Sequence, residues 1–231
     1  SMTEAACASG GSALFNACIA VQSGVYDTVL VGGFEKMTDR SYKMSDDLMF
    51  AADPKEFDTG FTFPGLYATM MTRYIYDYGL SDPRCPEALA MIASKNHLHA
   101  LGNPYAHFRR KFSVEDVMDS TMVADPIRLL HSSPISDGAS ALIVTSPKTA
   151  STLTDTPIYI VASQQASDDV SLFTRESLTS IKTTKLTLTA ALSQASLDIG
   201  DIHLAEVHDC FTIEEAIFLE DAGFYEKGES W

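Results

Sequence analysis

The sequence predicts an α/β fold in which strands and helices alternate along the chain. Residues 157–163, "PIYIVAS", and 204–210, "LAEVHDC", have the apolar character of strands, and helical stretches follow at 183–197 and 212–223. This order favours parallel strands joined by helical crossovers. Nearer the start, residues 8–23 are small or apolar on nearly every face, which is typical of a helix buried on all sides.

The first half of the chain predicts two further strands of one sheet. The run "TVLV" at 28–31 has the pattern of a buried strand, and "ASALIVTS" at 139–146 is a second strand. We interpret residues 40–125 as an insertion between them, with helices over "PGLYATMMTRYIYDYG" and "PEALAMIASKNHLHAL" and a turn at Asp82-Pro83. Residues 147–156, "PKTASTLTDT", have the composition of a linker.

Composition limits the classes of function. The formal net charge of −15 opposes non-specific binding to nucleic acid or anionic membranes. No apolar run is long enough for a transmembrane helix, and the first residues lack the charge pattern of a signal peptide. Four cysteines without a CxxC pair predict free thiols in a reducing compartment. No metal site is expected, because His208 and Cys210 have no second ligand pair at metal-site spacing.

Cys7 is the first candidate for chemistry. Ala5 and Ser9 are small, as the flanks of a nucleophile on a sharp turn must be. A helix that begins near Ala8 would direct its free N–H groups at the sulfur, lower the thiol pKa and hold a developing oxyanion. The alternative is a buried structural cysteine, which is common.

The second candidate is "VHDCF" at 207–211. His208 and Cys210 point to one side of a predicted strand end, where open α/β sheets bind ligands, and Asp209 points to the other. A structural histidine is the alternative. Cys210 is a less favoured nucleophile than Cys7 because bulky Phe211 follows it.

The stretch 95–112, "KNHLHALGNPYAHFRRKF", combines histidines, Tyr105 and the basic triplet Arg109, Arg110 and Lys111. Such a cluster could bind nucleotide phosphates, although the chain as a whole carries a net negative charge. The alternative is a solvated helix end and loop.

Together these segments resemble one family. "EAACASGG" followed by "SGVYDTVLVGGFEKMT" resembles the nucleophile segment of thiolases. "KNHLHALGNPYAHFR", "ADPIRLLHSSPISDGASALIV" and "AEVHDCFTIEEAIFLEDAGFYEKGES" resemble the sterol-carrier-protein-type and archaeal-type branch, which has HDCF where other thiolases have an Asn-Glu-Ala-Phe motif. The resemblance covers nearly the whole chain.

The resemblance implies a thiolase-like layered αβαβα fold, incomplete at both ends. Residues 1–148 correspond to a partial N-terminal domain, 40–125 to a loop domain inserted in it that covers the coenzyme A site, and 149–231 to a partial C-terminal domain. In the layered fold, the helix after the nucleophile is sandwiched between two sheets.

The resemblance also implies the site. Cys7 corresponds to the acyl nucleophile and His208 to the HDCF histidine that polarises a thioester oxygen. Ser133 aligns with a serine along the pantetheine arm, and the coenzyme A phosphates are assigned to Arg109, Arg110 and Lys111. The substrate is then a coenzyme A thioester, with no bound cofactor and no metal.

The implied function is that of an acyl-CoA acyltransferase, in thiolytic cleavage or Claisen condensation. The family's acid/base cysteine and its Gly-His-Pro-like loop are not in this chain, so we expect acyl transfer to Cys7 without full turnover. The alternatives are a non-catalytic scaffold or partner-binding subunit, and a thiolase-like retro-aldolase, against which Cys7 argues. The resemblance further implies a homodimer, possibly with further subunits, and a role in lipid metabolism. The expected location is cytoplasmic, or peroxisomal or mitochondrial for a eukaryotic source.

Overall fold

A computed structural model describes residues 1–79 and 84–230, so the turn predicted at Asp82-Pro83 lies outside the described residues. The helices are α1 Ser9–Gln22, α2 Met44–Met49, α3 Pro54–Asp58, α4 Phe63–Tyr74, α5 Cys85–Ala100, α6 Val114–Asp119, α7 Pro147–Leu153, α8 Lys182–Ala195 and α9 Thr212–Asp221. The strands are β1 Thr28–Lys36, β2 Met122–Ala124, β3 Ile127–Arg128 and β4 Asp137–Thr145. Among these helices none is both long and apolar enough to cross a membrane.

The strands β1 and β4 pair antiparallel along their whole length, from Thr28 opposite Thr145 to Lys36 opposite Asp137. This confirms that the two strands predicted at 28–31 and 139–146 belong to one sheet, with the helical region between them in the chain. Helix α1 packs on one face of this pair, where a small cluster consists of Ala17, Cys18, Val31 and Val144.

The burial of these elements differs from the prediction. Helix α1 is not buried on all sides, since Ile19 is 49% exposed, and strand β1 is not a buried strand, since Leu30 is 73% exposed and Phe34 is 88% exposed. The reason is that α1 covers one face of the strand pair only, and alternate residues of a strand point to opposite faces. Among the described residues, no second layer covers the other face.

The main core lies where α4, α5 and α9 meet. Tyr74, Leu89, Ile213 and Ile217 are almost completely buried there, so the helices predicted over these segments are confirmed. Local sequence explains the start of α4, because the Thr62 side chain accepts a hydrogen bond from the Gly65 N–H and a proline lies in the first turn.

Three predictions for the second half of the chain need correction. Residues 157–163 and 204–210 form no strand in the described structure, and the described sheets, β1–β4 and β2–β3, contain antiparallel pairs only. An apolar segment can favour extended backbone, but a strand also needs a neighbouring backbone to pair with. The predicted linker 147–156 contains α7, whose start is capped by Ser146 with Pro147 in its first turn.

His131 anchors the segment that leads to Ser133. Its ring is 5% exposed, and Nδ1 accepts a hydrogen bond from the Arg128 backbone N–H at 3.2 Å. Burial, with a smaller contribution from the Arg128 charge, lowers the pKa of His131 to about 4. The folded chain therefore holds this imidazole in its neutral form.

The buried imidazole predicts a loss of stability in acid. An unfolded chain binds a proton at His131 near pH 6.5, whereas the folded chain binds it only near pH 4. The free energy of unfolding should fall as the pH falls through this window, by at most about 3 kcal/mol. Denaturant unfolding between pH 7 and 4 should show the fall for the native chain and a flatter profile for His131→Gln. The exposed His203 provides the control, since His203→Ala should keep the native slope; identical slopes for His131→Gln and the native chain would contradict the prediction.

Candidate active site

Cys7 lies in a short 3-10 turn, Ala6–Ala8, directly before α1, and its thiol is exposed. Two side chains brace the turn. The Ala6 N–H donates to Glu4 Oε1 at 2.7 Å, the Ala5 N–H donates to Ser9 Oγ at 2.8 Å, and Ser9 Oγ donates to the Ala6 carbonyl at 2.7 Å. Ala6 has a φ of 48°, in the left-handed region that non-glycine residues seldom adopt. Strained backbone of this kind is found at functional sites and persists only where its surroundings hold it.

The imidazole of His208 meets the Cys7 thiol. A hydrogen bond between these side chains is the main cause that lowers the pKa of Cys7, although partial burial opposes it. The same hydrogen bond is the main cause that raises the pKa of His208. Both shifts stabilise the thiolate of Cys7 and the protonated imidazole of His208 relative to the isolated groups. The Cys7 backbone N–H contributes in the same direction.

Cys210 has the opposite environment. Its thiol donates to Glu214 Oε2 at 2.7 Å, and the Tyr67 hydroxyl donates to the same oxygen at 2.6 Å. Burial first, and the Glu214 charge second, raise the pKa of Cys210 far above its ordinary range. Cys210 is therefore held as a protonated thiol, which agrees with the choice of Cys7 as the nucleophile.

An amide on α5 holds the HDCF segment in place. Asn96 Nδ2 donates to Asp209 Oδ2 at 2.5 Å and to Glu215 Oε2 at 2.7 Å. Lys95 forms an ion pair with Glu215, which is 2% exposed. Burial is the main cause that raises the pKa of Asp209 to about 6, and the bond from Asn96 opposes this shift.

Two contacts complete the support of this segment. The Phe211 ring stacks on Tyr67 with a centroid distance of 4.4 Å. The Ser133 N–H donates to the Cys210 carbonyl at 2.9 Å. The HDCF segment is thus held by α4, α5 and the segment around Ser133.

The structure brings some of the predicted site residues together and leaves others apart. Cys7 and His208 are in contact, and Ser133 touches the HDCF segment through its backbone. Arg109, Arg110 and Lys111 lie exposed on a loop, where the Arg110 guanidinium is 4.2 Å from the centre of the Phe112 ring. None of the described contacts joins this triplet to Cys7 or His208.

Sequence reasoning missed three residues of the site. Glu214 could have been found, because it follows Cys210 by four residues and so shares its side of the helix start. Tyr67 and Asn96 carry no such signal, since they are 147 and 113 residues from their partners Glu214 and Asp209.

Comparison with protein families places these residues in a known context. Residues 1–148 match the family described as "Thiolase, N-terminal domain", and residues 164–231 match "Thiolase C-terminal domain-like". The chain belongs to the thiolase family. The resemblance in the sequence is confirmed. Cys7 lies in the first matched region and His208 in the second.

Curated relatives extend over almost all of this chain. It is 48% identical to an acetyl-CoA acetyltransferase of Methanothermobacter thermautotrophicus, over 98% of this chain and 58% of the relative. It is 33% identical to the benzoylsuccinyl-CoA thiolase subunit BbsB of Thauera aromatica, over 98% of this chain and 57% of that subunit. Sterol carrier protein 2 of Gallus gallus is 31% identical over 97% of this chain and 43% of its own length. The chain therefore spans about half the length of these relatives.

Solved structures show the same fold. The Ltp2-ChsH2(DUF35) aldolase superposes with a TM-score of 0.76 at 25% identity, covering 96% of this chain and 59% of that one. A monomeric SCP2-thiolase-like protein of Mycobacterium smegmatis gives a TM-score of 0.69 at 20% identity, over 96% of this chain and 48% of that one. The described residues thus have a thiolase-like fold.

The unequal thiols predict selective labelling. Cys7 is exposed and favours the thiolate, whereas Cys18 and Cys85 are buried and Cys210 is held protonated. Limited iodoacetamide treatment with peptide mapping should modify Cys7 first. His208→Ala should raise the pH at which Cys7 labelling becomes half-maximal, because the group that lowers its pKa is lost. First labelling at Cys85 or Cys210 in the folded chain would contradict this assignment.

Loss of the Asn96 amide should destabilise the fold. Asn96→Ala removes both hydrogen bonds and leaves the carboxylates of Asp209 and Glu215 without this donor, at a cost of roughly 2–3 kcal/mol. Denaturant unfolding measures this cost. Asn103 offers a matched control, because its side chain only caps an exposed turn at Tyr105, and Asn103→Ala should cost under about 1 kcal/mol. Equal losses in the two variants would show that Asn96 supports no more than a surface turn does.

Proposed function

We propose that this chain carries out thiolase-type acyl transfer, in which Cys7 takes an acyl group from a coenzyme A thioester. The observation that carries the proposal is the placement of His208 beside Cys7, where it lowers the pKa of a thiol that lies in a braced turn before α1. The likeness to acetyl-CoA acetyltransferases at 48% identity supports the same reaction class. Because the chain spans about half of these relatives, the activity is a proposal for this chain.

The acylation step follows from the site. The Cys7 thiolate attacks the thioester carbonyl, and the negative charge of the tetrahedral intermediate develops on the carbonyl oxygen. The Cys7 backbone N–H and the protonated imidazole of His208 stabilise this oxygen. When the intermediate collapses, the bond to the coenzyme A sulfur breaks, the acyl group stays on Cys7, and the released thiolate takes up a proton.

The second half-reaction needs a group that moves a proton at the α-carbon of the acyl acceptor. The Cys210 thiol donates to the Glu214 carboxylate, which Tyr67 keeps in position. Because burial raises the pKa of this thiol far above its ordinary range, Glu214 does not take its proton, and Cys210 can donate a proton but not remove one. We therefore expect this chain to acylate Cys7 without full turnover.

The coenzyme A contacts are also proposals. Ser133 lies next to Cys210, which suits a residue along the pantetheine arm. Arg109, Arg110 and Lys111 supply exposed positive charge for the phosphates. Homodimer formation, further subunits, a role in lipid metabolism and a cytoplasmic location stay predictions from the resemblance. Light scattering tests the first of these.

A retro-aldolase is the second candidate function. The observation in its favour is the TM-score of 0.76 with the Ltp2-ChsH2(DUF35) aldolase. The activated thiol of Cys7 favours acyl transfer instead, because the resemblance implies that cleavage by such aldolases does not depend on an acylated cysteine. Acylation of the protein therefore separates the two functions.

Incubation with acetyl-CoA should leave one acetyl group on the chain, detected as an intact-mass increase and mapped to Cys7. Cys7→Ala should abolish the adduct. His208→Ala should slow its formation by roughly a hundredfold, the usual effect of removing one oxyanion donor. Cys210→Ser should still form the adduct, and neither this variant nor the native chain should carry out thiolysis of acetoacetyl-CoA.

Cys18→Ser is the matched control, since this buried thiol lies on the far part of α1, and its adduct should form at the native rate. An adduct that persists in Cys7→Ala would place the acyl group elsewhere. The absence of any adduct in the folded native chain would refute the proposed function and favour the scaffold or aldolase alternatives.

A further inference from the structure

We propose that the reaction centre is also a zinc-binding site, formed by His208, Cys210 and Glu214 with a water molecule as the fourth ligand. The donor atoms of the first three residues lie within 4.8 Å of one another. In a tetrahedral site with bonds of about 2.0–2.3 Å, neighbouring donors are roughly 3.3–3.8 Å apart. The observed separation needs side-chain adjustments on the order of 1 Å.

The three donors leave one position of a tetrahedral site open to water, as in other zinc sites with three protein ligands. The Cys7 thiol is not part of this cluster of mutually close donors. A set of one thiol, one imidazole and one carboxylate suits zinc, whereas magnesium and calcium prefer oxygen ligands alone.

The surroundings of the cluster favour a cation. The Glu214 carboxylate receives hydrogen bonds from a thiol and a phenol, and none of its described contacts is an ion pair. The nearby ammonium group of Lys95 pairs with Glu215 instead. Tyr67 orients Glu214, and such partners behind a ligand are what metal sites use to fix its direction.

Zinc binding opposes acyl transfer. The ion displaces the Cys210 proton and any proton on the His208 ring nitrogen that binds it, and these protons go to solvent. The imidazole that the proposed acylation uses to stabilise the carbonyl oxygen is then bound to the metal. Zinc is thus a reversible inhibitor of acyl transfer, and this part of the inference rests on the proposed function.

Metal binding is measured without any acyl-CoA, so its outcome is independent of the proposed function. The purified chain, reduced and metal-free, is titrated with Zn²⁺ against a chromophoric chelator. We expect one zinc per chain, which a strong chelator removes. Co²⁺ in place of zinc should give the absorption of a tetrahedral ion with a sulfur-to-metal charge-transfer band.

Variants assign the ligands. Tyr67→Phe should weaken zinc binding by about 10–100-fold, the usual effect of losing a partner behind a ligand. Glu214→Gln keeps an acceptor for Tyr67 but removes the charged ligand. Both Glu214→Gln and Cys210→Ser should weaken zinc binding more than Tyr67→Phe does. His203→Ala, an exposed histidine five residues before His208, should bind as the native chain does.

Native affinity in both Glu214→Gln and Cys210→Ser would overturn the proposal, and so would equal weakening in His203→Ala. The cobalt spectrum is measured on the native chain, so it tests the proposal even where a variant fails to fold. An octahedral spectrum without a thiolate band would show metal held at surface carboxylates and would also overturn it.

Discussion

The amide of Asn96 is the contact that links the HDCF segment to both α5 and α9. It joins the carboxylate of Asp209, beside His208, to the carboxylate of Glu215, in the first turn of α9. Two carboxylates that lie close together away from water repel each other. The Asn96 amide donates a hydrogen bond to each of them, which offsets the repulsion and fixes their separation. The rotation of α9 against α5 is therefore tied to the direction in which His208 and Cys210 point. The chemistry at Cys7 depends on this arrangement, although Asn96 does not touch Cys7 in any described contact.

The site shows how environment separates two identical side chains. Cys7 lies beside an imidazole, which lowers its pKa, and Cys210 lies beside a carboxylate in a less solvated place, which makes a second negative charge unfavourable. One thiol is thus easier to deprotonate than the other, which keeps its proton. A reaction that needs both a nucleophile and a proton carrier can use two cysteines only if their surroundings differ in this way.

Local signals in the sequence predicted the main helices and the strands β1 and β4 correctly. The proline at the start of α4 and the apolar runs of the two strands each act over a few residues, and the structure contains these elements. The role of Cys7 as the nucleophile stays a prediction. The strands predicted at 157–163 and 204–210 failed, because pairing depends on a neighbour that the segment itself does not specify. The residues Tyr67 and Asn96 escaped notice for a similar reason: their role is defined only by distant parts of the chain that the fold brings beside them.

The positive φ of Ala6 gives a second reason for a small residue directly before Cys7. In this conformation a side chain branched at Cβ would collide with its own backbone, so Val, Ile or Thr is excluded at this position for a reason internal to the chain. Alanine tolerates the angle at a modest cost, and glycine would tolerate it freely but would leave the unfolded chain with more freedom to lose. The choice at position 6 is therefore a compromise between the shape of the turn and its rigidity, independent of the size of any substrate.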